Sequence, residues 1–521
     1  MRKSTRKLDK LISALRSYTT QSSAWHSLLK MAALDPRSLA CFRIGIAAVL
    51  LYDIGLAWSI LDTWPAMMGY FDGLAAARFF GLGDIAFLQL AFGLYALLAL
   101  ALLLGWRTRF FVFCAWIALT LHRELAGVID YHDDALFHAL FCAQFVELNA
   151  CWSLDAYKGR RPSGRDLIAK LGGLGFVVNV VFIYWSTVWE KDGPAWWPKG
   201  TAVYYALKDI ALSGSVGLWM VEELPLELLQ MGSYIVLTVE LVGGLALVLP
   251  RTRFVGWLIL SALQVSLWAT MSLESFPATM LALQMVFLPA WAWDRWGIET
   301  TVLPSRQRPV WRGALLWALL AVVVLVNIEG RRLWRIEGEY WPYDGAAEID
   351  ALRHVIELET HWQMYAPGPP RYGGWWVCVG LTDSGEEVDP ITGAKPSFAV
   401  PTHRTFRGLG SVYWFVAPEI DGDPQKNFTR YFQWIDRHYN SPENHLTHFS
   451  LFFVYEPFRP MQNAPHVRKP LLVMRWPEDA AVRPPLRAGS ALQGVKIYAP
   501  DYDKLGKRRW LPAELPSLET Y

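Results

Sequence analysis

Cysteine is scarce and scattered: five residues in 521, Cys41, Cys114, Cys142, Cys151 and Cys378, four of them in or beside apolar segments and none in CxxC spacing. This pattern provides neither a disulfide framework nor a zinc finger. An excess of one charge is also missing. The 49 Lys and Arg nearly cancel the 47 Asp and Glu, for a net charge of +2, so the sum gives no basic footprint for nucleic acid. No low-complexity tract and no fixed-period repeat stands out, which argues against solenoids and disordered arrays. A typical cleaved signal peptide is lacking too. Residues 1–37 are basic, partly amphipathic, and too long and polar before the first apolar run, and they read as a retained cytoplasmic arm.

What the chain has is apolar length. Hydrophobic residues make up 53% and mean hydropathy is +0.20. A hydrocarbon core about 30 Å thick needs roughly 20 apolar residues at about 1.5 Å each. Runs of about that length lie near Leu39 to Ile60, Ile85 to Leu104, Phe110 to Ala126, Ala135 to Cys151, Leu167 to Trp189, Leu228 to Leu249, Phe254 to Met271, Phe276 to Trp293 and Ala314 to Asn327. The third, fourth and ninth are short, which fits tilted or re-entrant segments. The expected fold is therefore an all-α polytopic membrane bundle of about nine transmembrane helices over residues 38–328.

The positive-inside rule tests that assignment. Arg2, Lys3, Arg6, Lys7 and Lys10 precede the first span, Arg107 and Arg109 follow the second, and Lys158, Arg160, Arg161 and Arg165 follow the fourth. Arg251 and Arg253 follow the sixth, and Arg295, Arg306, Arg308 and Arg312 follow the eighth. The alternate connections are acidic or nearly neutral, with Glu124, Asp130, Asp133 and Asp134 in one and Glu274 in another. The expectation is a multi-pass cell-membrane protein with a cytoplasmic N-terminus and an extracytoplasmic C-terminal part. Many of the 27 Trp lie at proposed helix ends, where an amphipathic ring suits the headgroup region.

Beyond Asn327 long apolar runs give way to short alternating ones between Gly, Pro, Asp and Asn, so residues 329–521 are expected to form a mostly β extramembrane domain. Trp375 to Leu381, Asp383-Ser384-Gly385 and Glu386 to Asp389 read as a hairpin. His448 to Tyr455 and Leu471 to Trp476 are further strand candidates, and Thr429 to His438 looks helical.

An ionisable group inside a span is by default a site hypothesis, because desolvating it is costly. Arg43, Asp53, Glu147 and Glu240 qualify. Arg43 lies near the inner boundary, where snorkelling is the simpler reading; Asp53 and Glu240 lie deeper, where pairing or protonation is expected. The richest chemistry falls on two expected outer-face segments. Tyr131-His132-Asp133-Asp134 opens the fourth span, and Trp185, Trp189, Glu190, Lys191, Trp196 and Trp197 close the fifth. A histidine beside two carboxylates can orient a base or ligate a metal, or be a solvated side chain beside an acidic helix cap. No recognised metal spacing is present. A lysine in an interfacial Trp cluster usually snorkels; partly buried, it loses its proton more readily and becomes a usable base. The aromatic surroundings, Tyr131, Trp185, Trp189 and Trp196, suit a flat apolar ligand.

Four motifs carry a family resemblance: Asp35-Pro36-Arg37-Ser38-Leu39 running into Phe42-Arg43-Ile44-Gly45; His132 leading to Phe145-Val146-Glu147-Leu148-Asn149-Ala150-Cys151-Trp152-Ser153-Leu154-Asp155; Lys191-Asp192-Gly193-Pro194-Ala195-Trp196 followed by Gly200; and Trp362-Gln363-Met364-Tyr365-Ala366-Pro367. In them the chain resembles the HTTM (horizontally transferred transmembrane) domain proteins, bacterial relatives of vitamin K-dependent γ-carboxylase. The resemblance implies that Lys191 deprotonates a reduced vitamin K or menaquinone-type quinol, with His132 assisting by hydrogen bonding. It further implies an epoxide-forming step whose strong base removes a γ-proton from a glutamyl-containing peptide or protein before carbon dioxide adds, a lyase-type carboxylation. Glu190 stands where the animal enzymes carry a second lysine. Two rival readings are a transporter-like bundle using Asp53 and Glu240 as a charge pathway, and a non-catalytic membrane scaffold whose outer domain binds a partner.

Overall fold

The computed structural model describes residues 33–59, 61, 74–125, 131–159, 167–210, 212–298, 364–390, 393–400, 433–437, 440, 445–461, 466–476, 490–498 and 517–520, and among these the side chains of 122–125, 131–132, 167–171, 474, 476, 498 and 517–520 are not described. In chain order the helices are α1 (Pro36–Ser59), α2 (Ala75–Phe79), α3 (Asp84–Leu104), α4 (Thr108–Leu125), α5 (Tyr131–Ala143), α6 (Leu154–Tyr157), α7 (Leu167–Glu190), α8 (Ala202–Lys208), α9 (Ser215–Glu223), α10 (Leu226–Val248), α11 (Arg253–Thr270), α12 (Phe276–Gln284) and α13 (Ala290–Arg295), with a 3-10 turn at Met285–Phe287.

Among the described residues, five helices are long and apolar enough to cross a membrane: α1, α3, α7 (over Gly172–Glu190), α10 and α11. Exposed leucines and valines such as Leu90, Leu94, Leu97 and Leu104 on α3, Leu228 and Leu245 on α10, and Val255, Leu258 and Val265 on α11 form surfaces that only lipid or another protein can cover. Short helices fill the interior. Ala135 to Leu140 of α5 are all buried, as are Phe276, Pro277, Thr279, Met280, Ala282, Leu283 and Gln284 of α12.

Nine full-length helical spans are not confirmed among the described residues. At about 1.5 Å per residue, α5 and α12 reach only roughly 20 and 14 Å, short of a core about 30 Å thick. The fourth and eighth apolar runs are therefore buried helices followed by breaks: turns after Ala143, and an extended Leu288 before Pro289, the backbone a proline imposes on its predecessor. The third run is a shorter apolar helix over Thr108–Leu121. The ninth lies outside the described residues. Hydropathy does not distinguish a segment buried in protein from one buried in lipid.

The interior is closed at one end by the first two family motifs. Arg37 donates to Asp35, to Asp294 at 2.7 Å and to the Ile298 carbonyl at 2.7 Å, while Ser38 donates to the Leu288 carbonyl and accepts from Trp293 Nε1. Arg43 does not snorkel. It is 2% exposed and donates to the Trp152 carbonyl. Nearby, the buried Asp155 carboxylate accepts from the Arg107 amide at 3.0 Å, the Thr108 amide at 2.9 Å and the Thr108 hydroxyl at 3.2 Å. It thus satisfies amides at the start of α4 that have no partner within the helix. Glu147 lies 3.9 Å from Arg109.

The C-terminal part contributes a six-stranded sheet in the order β2-β1-β3-β4-β5-β6, with β1 Tyr372–Thr382, β2 Glu387–Val388, β3 Leu446–Pro457, β4 Lys469–Trp476, β5 Lys496–Tyr498 and β6 Ser517–Thr520. All neighbours are antiparallel except β4 and β5. The expected hairpin is β1–β2, with Gly385 at φ 78° in its turn. Residues 433–437 are helical; the rest of the expected helix lies outside the described residues. The sheet docks on the bundle through α8 and α9: Trp375, Val377, Val379, Phe452 and Val454 form one cluster with Ile210, and Leu218 packs against it. Tyr204 of α8 donates to the Arg459 carbonyl. Burial pushes the Tyr204 phenol up to about 12, so it remains a donor at any physiological pH.

Asp155→Ala is expected to leave those amides unpaired in a buried turn and to destabilise the protein by roughly 1–3 kcal/mol, seen as a lower midpoint of thermal unfolding in detergent. An unchanged midpoint would show that Asp155 does not hold the α4 start.

Candidate functional site

The site is built where α7 ends. The sequence Lys191-Asp192-Gly193-Pro194 stops the helix, since Pro194 cannot continue it. The loop that follows is fastened on two sides. On the first, Ser233 of α10 donates to the Gly200 carbonyl at 2.6 Å and accepts from the Val203 amide at 3.0 Å. Tyr234 donates to the Pro198 carbonyl at 2.6 Å and Gln230 to the Lys199 carbonyl at 3.0 Å. On the second, the Gly193 amide donates to the Pro367 carbonyl at 2.9 Å, and Trp196 Nε1 donates to the Tyr365 carbonyl at 2.8 Å. A Cβ at Gly193 would lie 2.3 Å from the Pro367 oxygen, so only glycine allows this approach. The third family motif and the described residues of the fourth, separated by about 170 positions, thus meet here.

This fastening turns Lys191 inward. Its ammonium nitrogen lies 2.7 and 2.8 Å from the two carboxylate oxygens of Glu240, and both residues are buried, at 6% and 7% exposure. The Trp196 ring, itself buried, covers the nitrogen at 4.6 Å from its centroid, a favourable cation–π arrangement. Glu240 is 14 residues from Leu226 and 8 from Val248, which at about 1.5 Å per residue puts it roughly 21 and 12 Å from the two ends of α10. Lys191 is therefore not at a helix-end surface, as its place after an apolar run suggests. It reaches the middle of a membrane-spanning helix.

Further polar groups are buried on α7, α11 and α12. Gly244, one turn from Glu240, lets Trp185 pack against α10, with Trp185 Nε1 3.1 Å from where a Cβ would be. That indole N–H is buried without an acceptor. The adjacent Tyr184 hydroxyl accepts from Gln264 Nε2 of α11 at 3.2 Å and from Gln284 Nε2 of α12, whose Oε1 accepts from Ser261 at 2.9 Å. Gln264 Oε1 and the Thr279 hydroxyl are buried without partners. A buried unsatisfied group costs about 1–3 kcal/mol, so each of these is a position where a water or ligand atom would be favoured.

Of the residues expected from sequence, the structure brings Lys191 and Trp196 into contact and sets Trp185 about one and a half turns before Lys191 along α7. Trp189 is 59% exposed and turns outward. Tyr131 and His132 open α5, which packs against α7 and α12, and their side chains lie outside the described residues. On the same helix His138 is buried, with Nδ1 2.8 Å from the Asp134 carbonyl. Glu240 is flagged by its depth in an apolar run, but nothing in the sequence pairs it with Lys191. Tyr184, Gln264 and Gln284 carry no charge and give no signal of that kind.

Removing one member of a buried ion pair leaves an uncompensated charge, at a cost of roughly 3–5 kcal/mol, whereas replacing both with neutral groups is often close to neutral. Lys191→Met and Glu240→Gln are each expected to lower thermal stability markedly, and the double variant to recover most of the loss. Additive losses in this double-mutant cycle would show that the two charges do not depend on each other.

The HTTM domain model matches residues 31–293, just over half of the chain, and this stretch contains Lys191, Trp196, Glu240 and the amide cluster but not the Tyr365–Pro367 segment that fastens the loop. No curated protein and no solved structure gives a match. With the matched stretch covering both the apolar helices and the buried pair, the chain belongs to the HTTM domain family of membrane proteins.

Proposed function

We propose that the protein binds a quinone-type lipid in its reduced form at the Lys191–Glu240 pair and draws a hydroxyl proton into the site, with Lys191 as the residue on which this depends and His132 assisting from the start of α5. The carrying observation is the pair itself: two charges 2.7 Å apart, buried beside the middle of a membrane-spanning helix and covered by Trp196. Such a pair is weak evidence for stability, because well-packed apolar residues of the same volume serve as well. Ionisable groups at this depth point instead to chemistry.

The residues fit a reduced quinone. The Trp196 ring is an aromatic wall, the Trp185 N–H is a donor in need of an acceptor, and Gln264 Oε1 is an acceptor in need of a donor. A lipid-soluble ligand reaches mid-bilayer depth without crossing water. When bound, the quinol would supply the oxygen-dependent redox chemistry that the family resemblance implies; the chain supplies placement, a proton-handling pair and exclusion of water. The alternation of basic and acidic connections supports a cytoplasmic N-terminus. A charge pathway is less well supported, since Glu240 is neutralised locally by Lys191.

The test is incubation of the purified protein with reduced menaquinone or reduced vitamin K under oxygen, with chromatography for the epoxide. Lys191→Ala and the charge-free Lys191→Met/Glu240→Gln variant are expected to lose roughly 100-fold or more, the scale on which positioned acid–base groups act. Undiminished epoxide from both would remove Lys191 from the chemistry, and none from the wild type with either quinol would favour a scaffold.

A further inference from the structure

We infer that Glu240, rather than Lys191, is where the hydroxyl proton comes to rest, and that Lys191 acts as the fixed cation that holds the oxygen left behind. This rests on the quinol reading above and assigns the roles within it. The ligand class is a weakly acidic hydroxyl of the phenol type.

The geometry gives three reasons. First, both carboxylate oxygens of Glu240 are directed at the Lys191 nitrogen, at 2.7 and 2.8 Å. An ammonium held this way has no lone pair with which to take a proton. For Lys191 to act as a base it would first have to pass its own proton to Glu240, which ends in the same carboxylic acid. Second, the pair and its cover are shielded from bulk solvent, and Glu240 is the base already within hydrogen-bond distance of Lys191: Lys191, Glu240 and Trp196 are 6%, 7% and 3% exposed. Third, creating a net charge in such a place costs several kcal/mol per ion even after relaxation, and a swap creates none.

The step balances without any further reactant. The ligand O–H bond breaks and an O–H bond forms at Glu240 Oε. Lys191 keeps its three protons and exchanges one anionic oxygen for another. One positive and one negative charge are present before and after, and no electron is transferred. Trp196 remains over the ammonium throughout, and Gly193, pinned to Pro367, keeps the lysine from following the ligand. Glu240 is then a catalytic residue and Lys191 its electrostatic partner, an assignment that neither the spacing of Lys191 nor its neighbours in sequence suggests.

The experiment uses the full-length protein in detergent and 2-methyl-1-naphthol, which has a single phenolic hydroxyl and whose absorption shifts on ionisation. The wild type is expected to bind the probe as its anion at neutral pH, with a protonated-carboxyl band appearing in the infrared difference spectrum. Glu240→Gln is expected to bind the probe but ionise it about tenfold less or weaker still, a full pK unit, without the new carboxyl band. Lys191→Met, which keeps Glu240, is expected to lose ionisation as well. The infrared measurement on the wild type stands alone should Glu240→Gln fail to fold. Ionisation without a carboxyl band, or ionisation by Glu240→Gln at the wild-type level, would each overturn the assignment while leaving the quinol reading intact; binding of the probe only in its neutral form would overturn the assignment together with the proton transfer in that reading. Absence of probe binding by the wild type would overturn both.

Discussion

A lysine ammonium and a glutamate carboxylate in contact at 2.7 Å impose a demand on everything around them. Neither charge is tolerated alone at that depth, so the two must be delivered to the same point by separate elements. Glu240 comes from the middle of α10. Lys191 comes from the end of α7, which must stop well within the length of its neighbour. The stop is written locally, in Asp192-Gly193-Pro194, but it is held in place by distant residues. Ser233, Tyr234 and Gln230 take up the carbonyls and amides of the loop on one side. Tyr365 and Pro367 do so on the other. A non-helical backbone within the depth of a membrane-spanning helix survives only when its polar groups are satisfied by protein, and the Gly193 amide and the Pro198, Lys199 and Gly200 carbonyls are held this way.

The same constraint explains the division of labour among the helices. The long ones, α3, α10 and α11, turn leucine and valine outward and contribute few polar atoms to lipid. The short ones, α5 and α12, are enclosed and can carry polar side chains: His138 on one, Thr279 and Gln284 on the other. Gln284 binds Tyr184 and Ser261 and so links α12 to α7 and α11. Close approach between α10 and α11 is permitted by small residues, with a Cβ at Gly256 falling 2.9 Å from the Gly243 carbonyl, the usual means of packing helices where no hydrophobic force distinguishes protein from lipid. The polar interior is thus a consequence of building two layers: an outer one that meets lipid and an inner one that does not.

Much of this was legible in the sequence, and the remainder fails for identifiable reasons. The long spans were readable because lipid exposure demands an apolar residue at nearly every position, and the hairpin at β1–β2 because strand alternation and an Asp-Ser-Gly turn coincide. The short interior helices fall below span length by themselves, and the sequence does not show this because burial in protein selects the same residues as burial in lipid. Arg43 was read as snorkelling because its distance from a helix end is visible in sequence, whereas the Trp152 carbonyl that receives it is not. Lys191 and Trp196 are singled out in the sequence by chemistry and family motif together, and the structure places them in contact. The partner of Lys191 was seen only as an isolated anomaly 49 residues away, since a pairing across two helices leaves no spacing rule. The amide cluster was missed altogether, because Gln and Tyr in an apolar run do not violate any rule strongly enough to be noticed. Strands β5 and β6, of three and four residues, are too short to show a period.

The Tyr365–Pro367 segment connects these layers to the sheet. It lies a few residues before β1, and β1 is fixed to β3 along its whole length, so the position of the Lys191 loop is tied to the register of a sheet built from residues far beyond the matched membrane region. The link is made of main-chain groups: the Pro367 and Tyr365 carbonyls receive the Gly193 amide and the Trp196 indole. Backbone acceptors hold direction better than long side chains do, because they carry no rotamer freedom to be lost. Trp196 is oriented by its indole N–H, and its ring is what covers the Lys191 ammonium. A displacement of the sheet relative to α8 and α9 would therefore reach the buried pair through two hydrogen bonds, first as a rotation of the Trp196 ring and then as exposure of the charges beneath it. The membrane helices supply the two charges; the segment from outside the matched region determines how well they are covered.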